Sequence, residues 1–231
     1  MILTNNSGVH FEKTRESATM ALLMLNARLP TIATNQRAAR WDQIFSPLIA
    51  GKVALVIGLG DMGAAVAKAA KQLGLKVIGV RRTRLNPHPD VDEMVSIDAL
   101  DVVLPKADFV ALTTPLTAET RNLLDRSRIG LMKSGAGFFN IGRAACVDHT
   151  ALAKALRSGA LSGAVLDVYE SEPLPASSPL WRTDHLLLIP HVTSDDPEHY
   201  LPKTFDLVFS NVARLIRGES LVNVVDRERG Y

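Results

Sequence analysis

The run Gly58-Leu59-Gly60-Asp61-Met62-Gly63 has the G-x-G-x-x-G spacing of a loop that can hold phosphates. It directly follows the apolar run Val53–Ile57 and opens a stretch with helical spacing that extends to about Leu73. In such a strand–loop–helix unit, the first glycine makes the tight turn, the second lets a pyrophosphate approach the backbone, and the third lets the helix pack on the strand. The helix N terminus then offers its N–H groups and dipole to the phosphates. We predict a dinucleotide site, against the alternative of a glycine turn in an unrelated α/β protein, at Gly58, Gly60, Asp61, Met62 and Gly63.

A second strand, predicted over Lys76–Val80, ends in the basic run Arg81-Arg82-Thr83-Arg84. A site for NAD commonly has Asp or Glu at this point, where the carboxylate binds the ribose 2′-hydroxyl. Here the guanidinium groups of Arg81 and Arg82, next to Thr83, could instead bind a 2′-phosphate. The sequence therefore predicts NADP(H) in preference to NAD(H), with NAD(H) as a second usable cofactor. The alternative is a solvated basic turn.

Three polar side chains follow predicted strands in the second half of the chain. Arg143 ends the run Asn140-Ile141-Gly142-Arg143, Glu172 precedes Pro173, and His191 follows Ile189-Pro190. Each lies shortly beyond the C-terminal end of a strand, the edge at which ligands bind in open parallel sheets. One arginine, one glutamate and one histidine at this edge suit the reduction of a keto acid. Taken singly, they could be a helix-cap arginine, an exposed loop acid and a structural histidine.

Short apolar runs alternate with helical runs along the chain, which predicts an α/β fold with a doubly wound, Rossmann-type parallel sheet. Besides the elements above, we predict strands over residues 110–112, 137–140, 164–166 and 186–189. Predicted helices cover residues 10–28, 127–132, 148–159 and 197–217. The stretch Pro30–Ser46 is predicted as an extended arm with a short helix around Trp41.

Composition restricts the class of protein. The 231 residues carry a net charge of only +2, with both signs mixed along the chain, so neither nucleic acid nor a membrane is a predicted partner. The single cysteine, Cys146, makes a disulfide framework within one chain impossible and fits a reducing compartment. The first residues lack the pattern of a secretory signal. We expect a cytoplasmic protein with no metal site.

Together these motifs resemble the D-isomer-specific 2-hydroxyacid dehydrogenases. The resemblance begins at Asn5–Val9, passes through Trp41, the glycine loop and Thr114-Pro115-Leu116-Thr117-Ala118-Glu119-Thr120, and ends at Asn223–Asp226. It therefore covers nearly the whole chain. It implies hydride transfer between a nicotinamide and a 2-keto or 2-hydroxy acid, and a homodimer built through the nucleotide-binding domains.

The resemblance also implies a role for each matching residue. Arg143 would grip the carboxylate and keto oxygen of the substrate, and His191 would give the keto oxygen its proton. Glu172 would bind the other ring nitrogen of the histidine and stabilise the protonated ring. Asp167 would orient the nicotinamide carboxamide. Further cofactor contacts are expected from the loops that follow two strands, at Thr114, Pro115, Thr120, Ile141, Gly142 and His191 itself.

The family usually has a smaller substrate domain, most of which is expected to be absent here. We expect residues 1–196 to form the dinucleotide-binding domain, with a helix and dimerisation arm at about 10–48, and residues 197–231 to form a helix and tail that would pack on the substrate domain. Two departures from the family pattern bear on the substrate: Ala144 replaces a usual glycine, and Val192–Asp196 replace a glycine-containing turn.

These expectations support an NADPH-preferring reductase that acts on glyoxylate or hydroxypyruvate. This chain alone is expected to turn over such substrates poorly, because closure over the substrate is incomplete. One alternative is a family member that acts on a different 2-hydroxy acid. The other is a dinucleotide-binding scaffold or dehydrogenase fragment with little activity. Replacing His191 with Ala would separate the enzyme from the scaffold.

Overall fold

A seven-stranded, fully parallel sheet forms the centre of the protein in a computed structural model that describes residues 1–82 and 86–227. The strands are β1 (Val53–Ile57), β2 (Lys76–Arg81), β3 (Glu93–Ser96), β4 (Phe109–Leu112), β5 (Ala136–Asn140), β6 (Leu161–Leu166) and β7 (Leu186–Leu188). Their order in the sheet is β3-β2-β1-β4-β5-β6-β7, so the chain first builds outward from β1 to one side and then crosses to the other. This is the predicted doubly wound sheet.

Helices cover both faces of the sheet, and each face has its own apolar core. The helices are α1 (Phe11–Asn26), α2 (Leu29–Arg37), α3 (Asp61–Gln72), α4 (Leu100–Val103), α5 (Arg126–Leu131), α6 (His149–Arg157) and α7 (Tyr200–Ile216). Residues of α1 and α3 pack on one face, around Leu22, Val66 and Phe139, and residues of α4, α5 and α6 pack on the other, around Leu100 and Leu152. The four central strands β1, β4, β5 and β6 are buried along nearly their whole length, as expected for parallel strands covered on both sides.

The register brings the C-terminal ends of the strands to one edge. Ile57 pairs with Val80 on one side and with Leu112 on the other. Leu112 in turn pairs with Asn140, and the pairing continues through the last residue of β6 to the last residue of β7. The loops after β1, β2, β4, β5, β6 and β7 therefore start side by side along this edge.

The prediction for residues 30–46 is wrong in its helix. The structure has a helix before Trp41, α2, and an irregular segment at Trp41 itself. Pro30 suits the first turn of a helix because its N–H would have no partner there. Thr34 fixes the helix to the sheet, since its hydroxyl accepts a hydrogen bond from the backbone N–H of His185 at 2.9 Å. This long-range contact has no counterpart in local sequence periodicity.

The other differences concern the sheet. Strand β3 was not predicted, because its residues Glu93-Met94-Val95-Ser96 are half polar and it lies at the edge of the sheet. Strand β6 begins at Leu161, three residues earlier than predicted, and α7 spans Tyr200–Ile216 within the predicted 197–217. In the part of the chain that the structure describes, no helix has the length and hydropathy needed to cross a bilayer.

Helix α7 lies against the N-terminal segment, with one face left open. The backbone of Thr4 forms an antiparallel bridge with Val224, and the side-chain amide of Asn6 donates to Thr204 Oγ1 at 3.0 Å. The apolar side chains of the open face are all about half exposed or more: Leu201, Phe205, Val208, Phe209, Val212, Leu215 and Ile216. That these residues pack on a substrate domain stays a prediction.

Candidate active site

The glycine loop follows β1, and its three glycines meet different constraints. Gly58 has φ of +98°, in the left-handed region that favours glycine. A Cβ on Gly63 would lie 1.8 Å from the carbonyl oxygen of Gly58, so the start of α3 packs too closely on the loop for any side chain. A Cβ on Gly60, by contrast, would meet no described atom within 4 Å. The loop therefore has no room for a side chain at Gly63, where α3 packs on it, and has open space beside Gly60.

This geometry fits a dinucleotide pyrophosphate. Gly60 is the N-cap of α3 and supplies no side-chain acceptor, so in the described structure no side chain caps the N–H groups of Asp61 and Met62. Free N–H groups at a helix N terminus, next to an open glycine, form a binding site for phosphate oxygens. Met62 is partly buried against the apolar core beneath the loop.

The two arginines after β2 have different partners. Nε of Arg81 donates to the carbonyl oxygen of Leu59 at 3.0 Å, and its Nη2 donates to the same oxygen, so Arg81 ties the end of β2 to the glycine loop. Nη1 of Arg82 donates to Oε2 of Glu119 at 2.8 Å. Thr83 and Arg84, the rest of the predicted 2′-phosphate site, lie outside the described residues.

The loop after β4 is held by its own hydroxyl groups. The hydroxyl of Thr120 donates to the carbonyl oxygen of Pro115 at 2.6 Å and accepts from the N–H of Thr117 at 2.7 Å. Thr114 is buried against the glycine loop, since a Cβ on Gly58 would meet its methyl group at 2.8 Å. Internal hydrogen bonds therefore hold this loop in place beside the glycine loop. The cofactor contacts of Thr114, Pro115 and Thr120 stay predictions.

Asn140 shapes the turn that presents Arg143. The side-chain oxygen of Asn140, a fully buried residue, accepts from the N–H of Gly142 at 3.0 Å. Gly142 lies so close to the preceding loop that a Cβ would be 2.8 Å from the carbonyl oxygen of Thr114. Ile141 is buried in the core beneath. The side chain of Arg143 is exposed at the edge, where its Nη1 donates to the carbonyl oxygen of Gly142 at 2.7 Å.

Glu172 and His191 form a pair at the same edge. Nδ1 of His191 lies 2.7 Å from Oε2 of Glu172, and Oε1 of Glu172 accepts from the backbone N–H of Tyr169 at 2.9 Å. Burial opposes ionisation of Glu172, but the hydrogen bonds from His191 and Tyr169 and the charge of Arg143 outweigh it and lower the pKa of the carboxyl. An ionised carboxylate only accepts, so Nδ1 carries a proton and Nε2 is left to exchange one.

Asp167 holds the loop that carries His191. Its buried carboxylate accepts from the backbone N–H of Val192 at 2.9 Å and from the hydroxyl of Thr193 at 2.5 Å. Burial raises the pKa of Asp167, while these hydrogen bonds counteract the rise. His191 needs such support because its φ of +55° is costly for a residue other than glycine. In the structure, Asp167 holds the loop of His191 in place. A contact between Asp167 and the nicotinamide stays a prediction.

Residues Val192–Asp196 form the turn after His191, where the family pattern has a glycine-containing turn. Ser17 Oγ donates to the carbonyl oxygen of Thr193 at 2.6 Å, and Thr14 Oγ1 donates to Ser194 Oγ at 3.1 Å, so α1 fixes this turn. The carboxylates of the same turn face other histidines: Asp195 lies 3.7 Å from His10, and Asp196 lies 2.9 Å from His199. Ala144, the other departure, is buried in the short helical turn 144–146.

Tyr169 and an apolar cleft were missed by sequence analysis. The Tyr169 hydroxyl lies 2.8 Å from the carbonyl oxygens of both Leu166 and Ile189, where it joins the ends of β6 and β7, and burial raises its pKa to about 12. A cleft of about 710 Å³ opens beside the pair and is lined by Glu172, His191, Leu174, Trp181 and Leu188, among others. No local signal in the run Tyr169–Pro175 shows which of its residues bridges two strands.

The site therefore combines a glycine loop that suits a dinucleotide with a histidine oriented by a carboxylate, an arrangement that suits a nicotinamide-dependent dehydrogenase. The profile described as "D-isomer specific 2-hydroxyacid dehydrogenase, NAD binding domain" matches residues 19–193. The chain belongs to this family of NAD(P)-dependent dehydrogenases, as the resemblance of its motifs predicted.

Named relatives and solved structures agree with this assignment. The chain is 34% identical over 236 residues to a glyoxylate reductase of Korarchaeum cryptofilum, a match that covers 98% of this chain and 69% of the relative. A D-isomer specific 2-hydroxyacid dehydrogenase of Xanthobacter autotrophicus Py2, solved with NADPH and MES, superposes with a TM-score of 0.88 at 35% identity and covers 100% of this chain and 94% of the other. An NADPH-dependent glyoxylate/hydroxypyruvate reductase of Sinorhizobium meliloti, solved with NADP and sulfate, gives 0.87 at 26% identity over 99% and 72% of the two chains.

Proposed function

We propose that this chain binds NADP(H) in preference to NAD(H) and takes part in the reduction of a small 2-keto acid such as glyoxylate or hydroxypyruvate. The observation that carries the proposal is the Glu172–His191 hydrogen bond of 2.7 Å at the sheet edge that also holds Arg143 and the glycine loop. The cofactor preference is supported by Arg81 and Arg82 after β2, where a carboxylate would suit NAD. Relatives named as glyoxylate reductases support the substrate class.

Each residue of the site has a role that follows from its position. Glu172 holds the Nδ1 proton of His191, so the exposed Nε2 is the atom that passes a proton to the keto oxygen and recovers it in the reverse reaction. Arg143 carries a fixed positive charge and can bind the substrate carboxylate with its planar guanidinium. The glycine loop and the N terminus of α3 would hold the pyrophosphate of a nicotinamide cofactor, which would supply the hydride for the reduction when bound.

A titration of the chain with NADPH and NADH, followed by nucleotide fluorescence, tests the cofactor part of the proposal. Tighter binding of NADPH is the expected result, whereas equal or tighter binding of NADH would contradict the preference. The catalytic part is tested with His191→Ala, which should remove glyoxylate reduction while both nucleotides still bind. A dinucleotide-binding scaffold is the alternative, and it predicts no reduction by either protein and unchanged partner binding by the variant.

A homodimer is part of the same proposal. The segment after α2 exposes three large apolar side chains almost completely, with Trp41 at 91%, Phe45 at 88% and Leu48 at 87%. Contiguous exposed apolar groups of this size favour a protein contact. Sedimentation equilibrium should give twice the mass of the chain for the wild type and the single-chain mass for Trp41→Ala/Phe45→Ala. A monomeric wild type would contradict it. The cytoplasmic location also remains our sequence-based prediction.

A further inference from the structure

An ion pair joins the two loops that flank the glycine loop. Arg82 follows β2 and Glu119 lies in the loop after β4, while β1 runs between these two strands. Neighbouring strands are about 4.8 Å apart, so the two loops start about 10 Å from one another. The side chains nevertheless meet, with Nη1 of Arg82 donating to Oε2 of Glu119 at 2.8 Å. The ion pair therefore links the loops after β2 and β4, on either side of the glycine loop.

The arginine of this pair stands where a 2′-phosphate is expected. In folds of this type the adenosine ribose lies at the end of the second strand. Arg81 directs both Nε and Nη2 to the carbonyl oxygen of Leu59, so its guanidinium serves the loop backbone. Arg82 instead binds a carboxylate. A guanidinium binds carboxylate and phosphate oxygens with the same planar geometry, so one anion can replace the other.

We propose that Glu119 limits the preference for NADP(H) by competing with the 2′-phosphate for the guanidinium of Arg82. This inference rests on the proposed binding of NADP(H) and names the residue that opposes it. The carboxylate both occupies Arg82 and repels a 2′-phosphate, whereas NAD(H), which lacks that phosphate, leaves the pair intact. The pair is weak enough to exchange because its side chains are 31% and 63% exposed to solvent.

The test is Glu119→Gln, which keeps the shape of the side chain and removes its charge. Dissociation constants for NADPH and NADH are measured by nucleotide fluorescence at constant ionic strength. NADPH should bind roughly two- to fivefold more tightly to the variant, the range that corresponds to one exposed ion pair. NADH should bind as it does to the wild type. Asp101→Asn is the matched control, since Asp101 pairs with Arg128 at 2.7 Å with similar exposure, 55% and 30%, between α4 and α5.

The Arg82→Gln background identifies the route of the effect. There Glu119→Gln should produce a smaller gain for NADPH than in the wild-type background, because no guanidinium is left to release. An unchanged NADPH affinity in Glu119→Gln, or an equal gain for NADH, would overturn the competition while leaving the proposed function in place. A wild-type chain that binds neither nucleotide would overturn both.

Discussion

The glycine loop allows stability and cofactor binding to be separated by two substitutions of the same size. Gly63→Ala places a methyl group 1.8 Å from the carbonyl oxygen of Gly58. This atom belongs to the backbone, so the clash cannot be relieved by a change of side-chain rotamer. Gly60→Ala places the same methyl group where no described atom lies within 4 Å. The two variants add identical volume, so any difference between them arises from the surroundings.

The expected magnitudes follow from these distances. Relief of the clash at Gly63 requires the start of α3 to move away from the loop, at a cost of about 3 kcal/mol, the upper end for overpacking. For a chain of this size, that corresponds to a fall in Tm of roughly 6–12 °C. Gly60→Ala replaces an N-cap glycine and should cost less than about 1 kcal/mol. It should weaken NADPH binding by about 10- to 100-fold, because the methyl group holds the pyrophosphate out of hydrogen-bonding reach of the loop.

Thermal unfolding followed by circular dichroism measures the first effect, and nucleotide fluorescence measures the second. The two variants should show opposite profiles: Gly63→Ala loses stability, and Gly60→Ala loses affinity while it melts near the wild type. If Gly63→Ala melts with the wild type, the close packing of α3 on the loop is refuted. If Gly60→Ala binds NADPH like the wild type, the pyrophosphate does not lie on this loop.

Substitutions at three further positions probe the rest of the site and the sheet. Glu172→Gln should reduce kcat for glyoxylate without changing the dissociation constant of NADPH, since its carboxylate acts on the substrate through His191; a parallel loss of NADPH affinity would argue against that role. Thr193→Val should lower the Tm more than Thr193→Ser, because only Ser keeps a hydroxyl for the buried Asp167 carboxylate, and equal melting would show that this bond contributes nothing. Burial opposes the ionisation of Asp108, but hydrogen bonds from Lys133 and from the backbone N–H of Val53 outweigh it and lower the pKa of the carboxyl. The stability that ionised Asp108 contributes is therefore present above about pH 3.9 and is lost as the pH falls through the lowered pKa. In urea titrations, Asp108→Asn should therefore lose less unfolding free energy than the wild type between pH 5 and pH 2.5, and an identical loss would remove Asp108 from the acid response.

Local sequence was sufficient for the elements whose patterns are strong over several residues. The apolar run Val53–Ile57, the G-x-G-x-x-G spacing and the helix that follows define one unit, because each glycine answers a constraint within that unit. The same reasoning placed Arg143, Glu172 and His191 at one edge, since the ends of parallel strands share an edge whatever lies between them. Family membership followed from the order of these motifs.

Tertiary contacts decided the features that depend on residues distant in sequence. Helix α2 is fixed by a bond between Thr34 and the backbone at position 185, and no periodicity in residues 30–46 indicates that bond. The partners of Arg81 and Arg82, a loop carbonyl and Glu119, depend on how the loops after β1, β2 and β4 pack together. Residue types and spacing determine which groups can do chemistry. The packing of strands and loops determines which of these groups contact one another. A hydrogen bond requires a separation of about 3 Å in space, whatever the distance between the two residues in the sequence.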